Sequence, residues 1–322
     1  MEYRRLGSSG LEVSEISLGS WLTFGSSVDR EATREMVERA FERGVNLFDT
    51  ADVYANGAGE QALGYALRSI PRRHAVIATK CFFPMSDQPN DRGLSRKHIF
   101  ASVEGSLRRL GTDYLDLLQC HRADPATPID ETVSAFEDLI RQGKILYWGV
   151  SEWPAERIQA ACRSADRRLA YRPISNQPQY SILRRGIEAE VLPTCEREGL
   201  SQLVFSPLAQ GVLTGKYRGG ERPDRSRGAD PQRNVFMSAF LEPSALTRIE
   251  SLRPLAADCG LTMAQLALAW CLRQPGVASV IVGVTRPGQL DDNLAAIGAS
   301  LPTELLEQVD ALFPPPSRSE AR

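Results

Sequence analysis

Eight short apolar runs, separated by stretches of helical periodicity, set the strongest limit on what this chain can fold into. The runs are Ile16–Gly19, Val45–Phe48, Val76–Thr79, Leu115–Cys120, Tyr147–Val150, Pro173–Asn176, Leu203–Ser206 and Val280–Gly283. Between them lie amphipathic stretches such as Glu31–Arg43, Lys97–Leu110, Glu131–Arg141, Glu156–Ser164 and Ile187–Glu198. In Lys97–Leu110, the residues Ile99, Val103, Leu107 and Leu110 fall on one face at helical spacing. Eight strands with intervening helices argue for a closed parallel barrel over an open doubly wound sheet. The expected fold class is α/β, a (β/α)8 TIM barrel. The sixth run is the least strand-like, because Pro173 opens it and Pro178 follows it. Ahead of the barrel, Tyr3–Leu6 and Val13–Ile16 flank a Gly-Ser-Ser-Gly turn and predict an N-terminal β-hairpin.

One stretch breaks the rhythm. From Ser206 to Val280 the chain is longer than a single crossover needs, which predicts a long loop after strand 7. Its middle, Gly219–Arg233, is rich in Gly, Pro, Asp and Arg and reads as a mobile strap over the barrel mouth. Residues 1–313 are expected to form one barrel, with 314–322 as a disordered C-terminal tail. The 322 residues are 42% hydrophobic, enough for one sizeable core. A formal net charge of -2 gives no general attraction for nucleic acid, and no apolar run is long enough for membrane insertion. The six Cys are scattered singly and there is no secretion-type leader, so they read as reduced thiols of a cytoplasmic protein. Three His, far apart, do not make a metal site.

The chemistry concentrates at the carboxyl ends of three successive runs. Asp49 follows Val45–Phe48, Lys80 follows Val76–Thr79, His121 follows Leu115–Cys120, and Tyr54 lies in the loop after the first. That end of a barrel is where active sites are built. A free phenol, with a pKa near ~10, is a weak acid at neutral pH. An ammonium beside it favours the phenolate, so Lys80 is expected to lower the pKa of Tyr54. Asp49 can hold Lys80 charged, and His121 can donate to a carbonyl oxygen. Singly, each reads as a cap, a packing group or a solvated charge; their convergence points to catalysis. Glu60 reads as a local pairing residue, and Cys81 and Cys120 as apolar filler.

Around these residues, DTADVYANGAGEQALG (Asp49–Gly64), IATK (Ile77–Lys80) and LLQCHRADPATP (Leu117–Pro128) resemble the aldo-keto reductase superfamily. GVSEW (Gly149–Trp153), SNQPQYS (Ser175–Ser181), SPLAQGVLTGKY (Ser206–Tyr217) and LALAWCL (Leu266–Leu272) extend the resemblance over almost the whole chain. It is strongest to the branch of potassium-channel β-subunit-like reductases. The resemblance implies NADPH-dependent reduction of aldehyde or ketone carbonyls to alcohols. It implies Tyr54 as general acid/base, Asp49 and Lys80 as its supports, and His121 as the substrate-orienting group. Channel β-subunits tend to carry Asn at the position of His121.

No G-x-G-x-x-G follows the first strand, so a dinucleotide would lie extended across the strand ends. The resemblance places Ser151 and Gln177 on the nicotinamide carboxamide and Phe205, usually Trp in the channel subunits, on its ring. Gly19, Ser20 and Trp21 match a segment whose backbone approaches the cofactor, beside Asp49. Ser206, Leu208, Gln210, Gly211 and Lys216 look like a strap over the pyrophosphate, with Arg227 as a second cation. Gly283, Thr285 and Arg286 enter a helix N-terminus suited to an anion such as the 2′-phosphate, followed by Gln289, Asp292 and Asn293. Trp21 and Phe24 are expected to frame the substrate mouth.

Two other classes compete. A barrel aldolase could form a Schiff base through Lys80, but Asp49 would hold that lysine charged and poorly nucleophilic. A nucleotide-sensing subunit of a larger assembly would need no turnover. The expected partner is a small-molecule carbonyl substrate; relatives occur as monomers and rings, which leaves a homo-oligomer open.

Overall fold

The computed structural model describes residues 1–315 except 225, 231–233, 235, 236, 238 and 239. Most of the expected C-terminal tail and part of Gly219–Arg233 therefore lie outside the described residues. Two strands, β1 (Tyr3–Arg5) and β2 (Glu12–Ser14), form the expected antiparallel hairpin, with Tyr3 opposite Ser14. Eight parallel strands follow: β3 (Ile16–Gly19), β4 (Leu47–Asp49), β5 (Val76–Cys81), β6 (Leu115–Cys120), β7 (Ile145–Ser151), β8 (Ser175–Gln177), β9 (Ser201–Phe205) and β10 (Val277–Val282). They pair in chain order, and β10 returns to β3 to close the barrel.

The hairpin covers the amino-terminal end of that barrel. Gly7 N donates to Ser201 Oγ at 2.8 Å and Ser14 N to Asn46 Oδ1 at 2.8 Å, both just at strand starts. Leu6 and Val13 are fully buried against Leu47, Leu117 and Leu203 of the strands. Burying a leucine in this way contributes roughly 1.5–3 kcal/mol. The opposite end, where the strands finish, stays free for chemistry.

Helices α1 (Arg30–Glu42), α2 (Ala58–Ala66), α3 (Arg96–Leu110), α4 (Ile129–Arg141), α5 (Ala155–Arg168) and α6 (Val191–Glu198) form the crossovers. Local chemistry sets their ends. Asp29 accepts from Ala32 N to start α1, Ser95 accepts from His98 N to start α3, and Gly111 at φ +67° stops α3. The eighth run begins earlier than its apolar pattern suggested, and β8 is only three residues long. Pro173 lacks an N–H for the ladder, and Pro178 ends the strand.

The segment between β9 and β10 is only partly loop. Residues 206–242 carry short 3-10 turns at Ala209–Thr214, Arg218–Gly220 and Arg227–Ala229. Three helices then follow, α7 (Pro243–Glu250), α8 (Leu252–Asp258) and α9 (Met263–Leu272). Thr262 and Gln265 form a capping box at the start of α9, which is buried on most faces. After β10 come α10 (Pro287–Leu294) and α11 (Thr303–Leu312). Buried Arg185 fixes α11 by donating to Asp310 Oδ1 and to the Phe313 carbonyl, each at 2.6 Å. Among the described residues no single helix is long and apolar enough to cross a membrane.

Candidate active site

Asp49 is the last residue of β4, Lys80 the penultimate residue of β5, and His121 the first residue beyond β6. Tyr54 opens a 3-10 turn at Tyr54–Gly57 that follows β4. Two buried acids tie down the segment that carries Tyr54. Asp52 accepts from Val53 N at 2.7 Å and from Ser102 Oγ of α3 at 2.8 Å. Glu60 accepts from Thr79 Oγ1 and from Arg109 Nε, each at 2.6 Å. Glu60 is thus a structural anchor, though its partners lie on β5 and α3 and are not the local ones its sequence setting suggested. Burial is the main force that pushes the Asp52 carboxyl up to about 7, and Glu60 adds to it.

Lys80 joins the four groups. Its ammonium is wholly buried and donates to Asp49 Oδ1 at 2.6 Å, to the Thr50 carbonyl at 2.8 Å and to Tyr54 Oη at 3.3 Å. The other carboxylate oxygen of Asp49 accepts from Gln177 Nε2 at 2.8 Å. Burial works against the charge on Lys80, but Asp49 and Tyr54 outweigh it and raise its pKa. A lysine held so firmly as an ammonium is a poor Schiff-base nucleophile, which removes the basis for the aldolase alternative.

Tyr54 departs from expectation. Burial raises its pKa, and Lys80 offsets only part of that rise. The phenol therefore stays protonated at neutral pH. That does not disqualify it as an acid, because a developing alkoxide is far more basic than a phenolate. His121 lies edge-on to Tyr54, with ring centroids 5.7 Å apart, and edge-on to Phe83 at 4.8 Å. Burial first, then Lys80 and Arg122, push its pKa well below the ordinary range, so the imidazole is neutral. Its Nδ1 is buried without a partner among the described residues. A neutral imidazole with one N–H can donate to a carbonyl oxygen without bringing a second cation beside Lys80.

The expected cofactor residues lie at the strand ends and in the loops just beyond them. Ser20 Oγ donates to Thr50 Oγ1 at 2.8 Å, and Ser151 Oγ to the Gln177 carbonyl at 2.8 Å. Ser151 ends β7, Gln177 ends β8 and half-buried Phe205 ends β9. Ser206 (φ 56°), Ala209 (φ 46°) and Gln210 (φ 61°) all take left-handed backbone conformations, as does Glu152 (φ 56°). Such conformations in non-glycine residues are costly and gather at functional loops. Gln210 Nε2 donates to Ser206 Oγ at 2.9 Å, and Arg227 donates to Gln210 Oε1 while its guanidinium lies 5.6 Å from the Trp21 ring centroid. The strap thereby reaches from β9 to the loop after β3. Leu208 is half-buried in it.

Gly19 is required by close approach and Gly211 by its left-handed backbone. A Cβ on Gly19 would come within 2.6 Å of Ile281 Cγ2, and one on Gly211, already at φ +93°, within 3.0 Å of Lys216 Nζ. Lys216 is exposed as a residue, yet the protein around its ammonium, with Arg227 and Arg286, holds its pKa below the usual value. Both arginines thus act on Lys216 as like charges. Beyond Gly283, the side chain of Gln289 accepts from Thr285 N at 2.8 Å and from Thr285 Oγ1 at 3.2 Å, fixing the entry to α10 beside exposed Arg286. Asp292 is exposed, with its carbonyl taken by Gln265 Nε2, and Asn293 is buried.

Phe24 must be removed from the substrate mouth. It is 1% exposed within the main core, whereas Trp21 remains half-exposed. Thr50, Phe83 and Arg122 are site residues that the sequence reading missed. Each follows a strand-end residue or lies a few positions past a strand, so a survey of residues beyond every strand end would have found them. Cys81 and Cys120 are register partners, fully buried, and burial pushes both thiols well above their usual range.

Comparison with known families fits this geometry. Residues 15–313 match the model of the Aldo/keto reductase family. This chain belongs to the aldo/keto reductase family. It is 44% identical over 300 residues to an Arabidopsis thaliana protein named "Probable voltage-gated potassium channel subunit beta", covering 92% of this chain and 91% of that one. A rice (Oryza sativa subsp. japonica) protein of the same name is 41% identical over 327 residues, covering 100% and 99%. Membership makes this barrel one of a family of NAD(P)H-using oxidoreductases.

Proposed function

We propose that this aldo/keto reductase family member is an NADPH-dependent reductase of aldehyde or ketone carbonyls, with Tyr54 as general acid/base. The observation that carries the reading is the Lys80 ammonium, buried and shared among Asp49, the Thr50 carbonyl and Tyr54. The donor set suits an extended dinucleotide. Gln177 and Ser151 stand beside the cluster, Gly19 leaves its backbone bare, and Lys216, Arg227 and Arg286 offer charge to phosphates. When bound, NADPH supplies the hydride. Phe205 would face its nicotinamide ring, and Arg286 would meet its 2′-phosphate.

The chain's own residues do the remaining work. The carbonyl oxygen accepts hydrogen bonds from Tyr54 Oη and from the neutral His121 ring. As negative charge develops on that oxygen, the Tyr54 proton moves to it. Lys80 then stabilises the phenolate left behind, a stabilisation that is absent from the ground state and so lowers the barrier. Asp49 keeps Lys80 charged and in place throughout.

The relatives' names suggest a second reading, a cytoplasmic nucleotide-binding subunit of a membrane assembly. The intact Tyr54, Lys80, Asp49 and His121 cluster favours turnover. The test is NADPH oxidation against a panel of aldehydes, ketones and sugar-derived carbonyls. Turnover of at least one class supports the reading; tight NADPH binding with no turnover across the panel favours the subunit.

A further inference from the structure

Arg122 follows His121 directly, and its charge is felt at the proposed reacting centre. Its Nη1 donates to the His121 carbonyl at 2.5 Å, and its guanidinium carbon lies 5.5 Å from the Phe83 ring centroid. Phe83 in turn packs edge-on against His121. The charge of Arg122 reaches both acid candidates, lowering the pKa of Tyr54 and of His121. The residue is half-buried.

Unlike Arg109 and Arg72, Arg122 lacks a counter-ion among the described residues, a state it shares with half-buried Arg157 and Arg273, but it alone of these three directly follows His121. Arg109 lies 2.6 Å from Glu60, and Arg72 2.6 Å from Asp116. Among the described residues no carboxylate lies within 4.0 Å of Arg122. The acid closest in sequence, Asp124, is taken up elsewhere. It accepts from Leu94 N at 2.8 Å, from Ala126 N at 2.9 Å and from Thr127 Oγ1 at 2.8 Å. An unpaired guanidinium partly withdrawn from water is a strong, directional attractor for a carboxylate. Phe83 beside it offers an apolar wall for the body of a substrate.

We propose that Arg122 is a specificity-determining residue, which selects carbonyl substrates that also carry a carboxylate within a few bonds of the carbonyl. The inference rests on the reductase reading and names the substrate class of that same site. The carbonyl oxygen takes Tyr54 and His121, and the carboxylate takes the free guanidinium edge of Arg122. Neutral aldehydes gain only the first pair of contacts. Aldehydo and keto acids are therefore the preferred substrates.

The test measures kcat and KM at saturating NADPH for 2- and 4-carboxybenzaldehyde and for their methyl esters. Wild type is expected to favour at least one acid over its ester by about tenfold or more, since a charge-assisted contact is worth roughly one to two powers of ten in affinity. Arg122→Gln should bring the acid-to-ester ratio to about one, chiefly through KM, and Arg122→Lys should restore part of it. The wild-type preference should also shrink at high salt. An equal loss on acid and ester would make Arg122 only a prop for the His121 backbone and overturn the proposal. So would a wild-type enzyme that reduces the esters as well as the acids, with the reductase reading left standing. Failure to reduce any of the four, with neutral aldehydes or ketones of the wider panel still reduced, would overturn this proposal alone; no turnover across that panel would overturn the reductase reading as well.

Discussion

The strand-end cluster and the loop-borne cation track serve one proposed reaction but are built in opposite ways. Asp49, Lys80 and His121 are at most 5% exposed, and each is set by a strand or the residue that ends one. Every charge there has its partner. Lys216, Arg227 and Arg286 instead stand on the strap and at the entry to α10, and burial of its ammonium, then the charges of the two arginines, depresses Lys216. The chemical groups are organised before anything binds, whereas the cations lie on loops, where the proposed cofactor's phosphates would supply the opposite charge. Catalysis needs fixed geometry, which strands supply; reversible capture of a charged ligand tolerates loops.

The largest test of that contrast is Lys80→Met. It removes the support of the phenolate and leaves Asp49 buried without its ion pair. Reductase turnover should fall by about 10²–10⁴, and denaturant unfolding should show a loss of about 3–5 kcal/mol. A variant as stable as wild type would mean that the cluster is not preorganised by the pair. Removing a cation from the track should cost no such stability. Arg286→Ala should weaken NADPH by about 10–100-fold and NADH much less, because only NADPH carries the 2′-phosphate. Lys216→Ala should weaken both alike. Dissociation constants for the two cofactors in each variant decide the matter, and equal losses in Arg286→Ala would place that arginine away from the 2′-phosphate.

The smallest effect concerns the anchor behind Tyr54. Burial raises the Asp52 carboxyl from 3.8 to about 7 in the folded chain. Above 3.8 the unfolded chain gives up this proton while the native state keeps it, so stability falls as pH rises toward 7 and levels beyond it. Asp52→Asn keeps the shape without the proton and should remove that slope. Urea midpoints at pH 5 and pH 8 give the comparison; parallel changes in wild type and variant would show that Asp52 does not hold the proton.

The same contrast explains what the sequence revealed. Asp49, Lys80 and His121 were legible because apolar runs mark strands and strand ends mark the site. Leu115–Cys120 even had its observed bounds. The closed barrel and hairpin followed from the same alternation. Phe24 was misplaced because an aromatic just past a strand can turn either way, and the core took it. The rise in the Tyr54 pKa was hidden because desolvation depends on tertiary burial, which spacing does not encode. Within Ser206–Val280, α9 carries little helical amphipathicity because it is buried on most faces, so its periodicity gave no warning. Arg122 could have been found as a residue just past a strand end, but its missing partner shows only once Asp124 is seen to bond elsewhere.

The central claim is that Tyr54 supplies the proton from a cluster that exists independently of cofactor capture. Tyr54→Phe tests it most directly, with the NADPH dissociation constant and carbonyl turnover measured on the same preparation. The expected result is cofactor affinity close to wild type, with turnover reduced by about 10²–10⁴. Near-normal turnover in that variant would contradict the account.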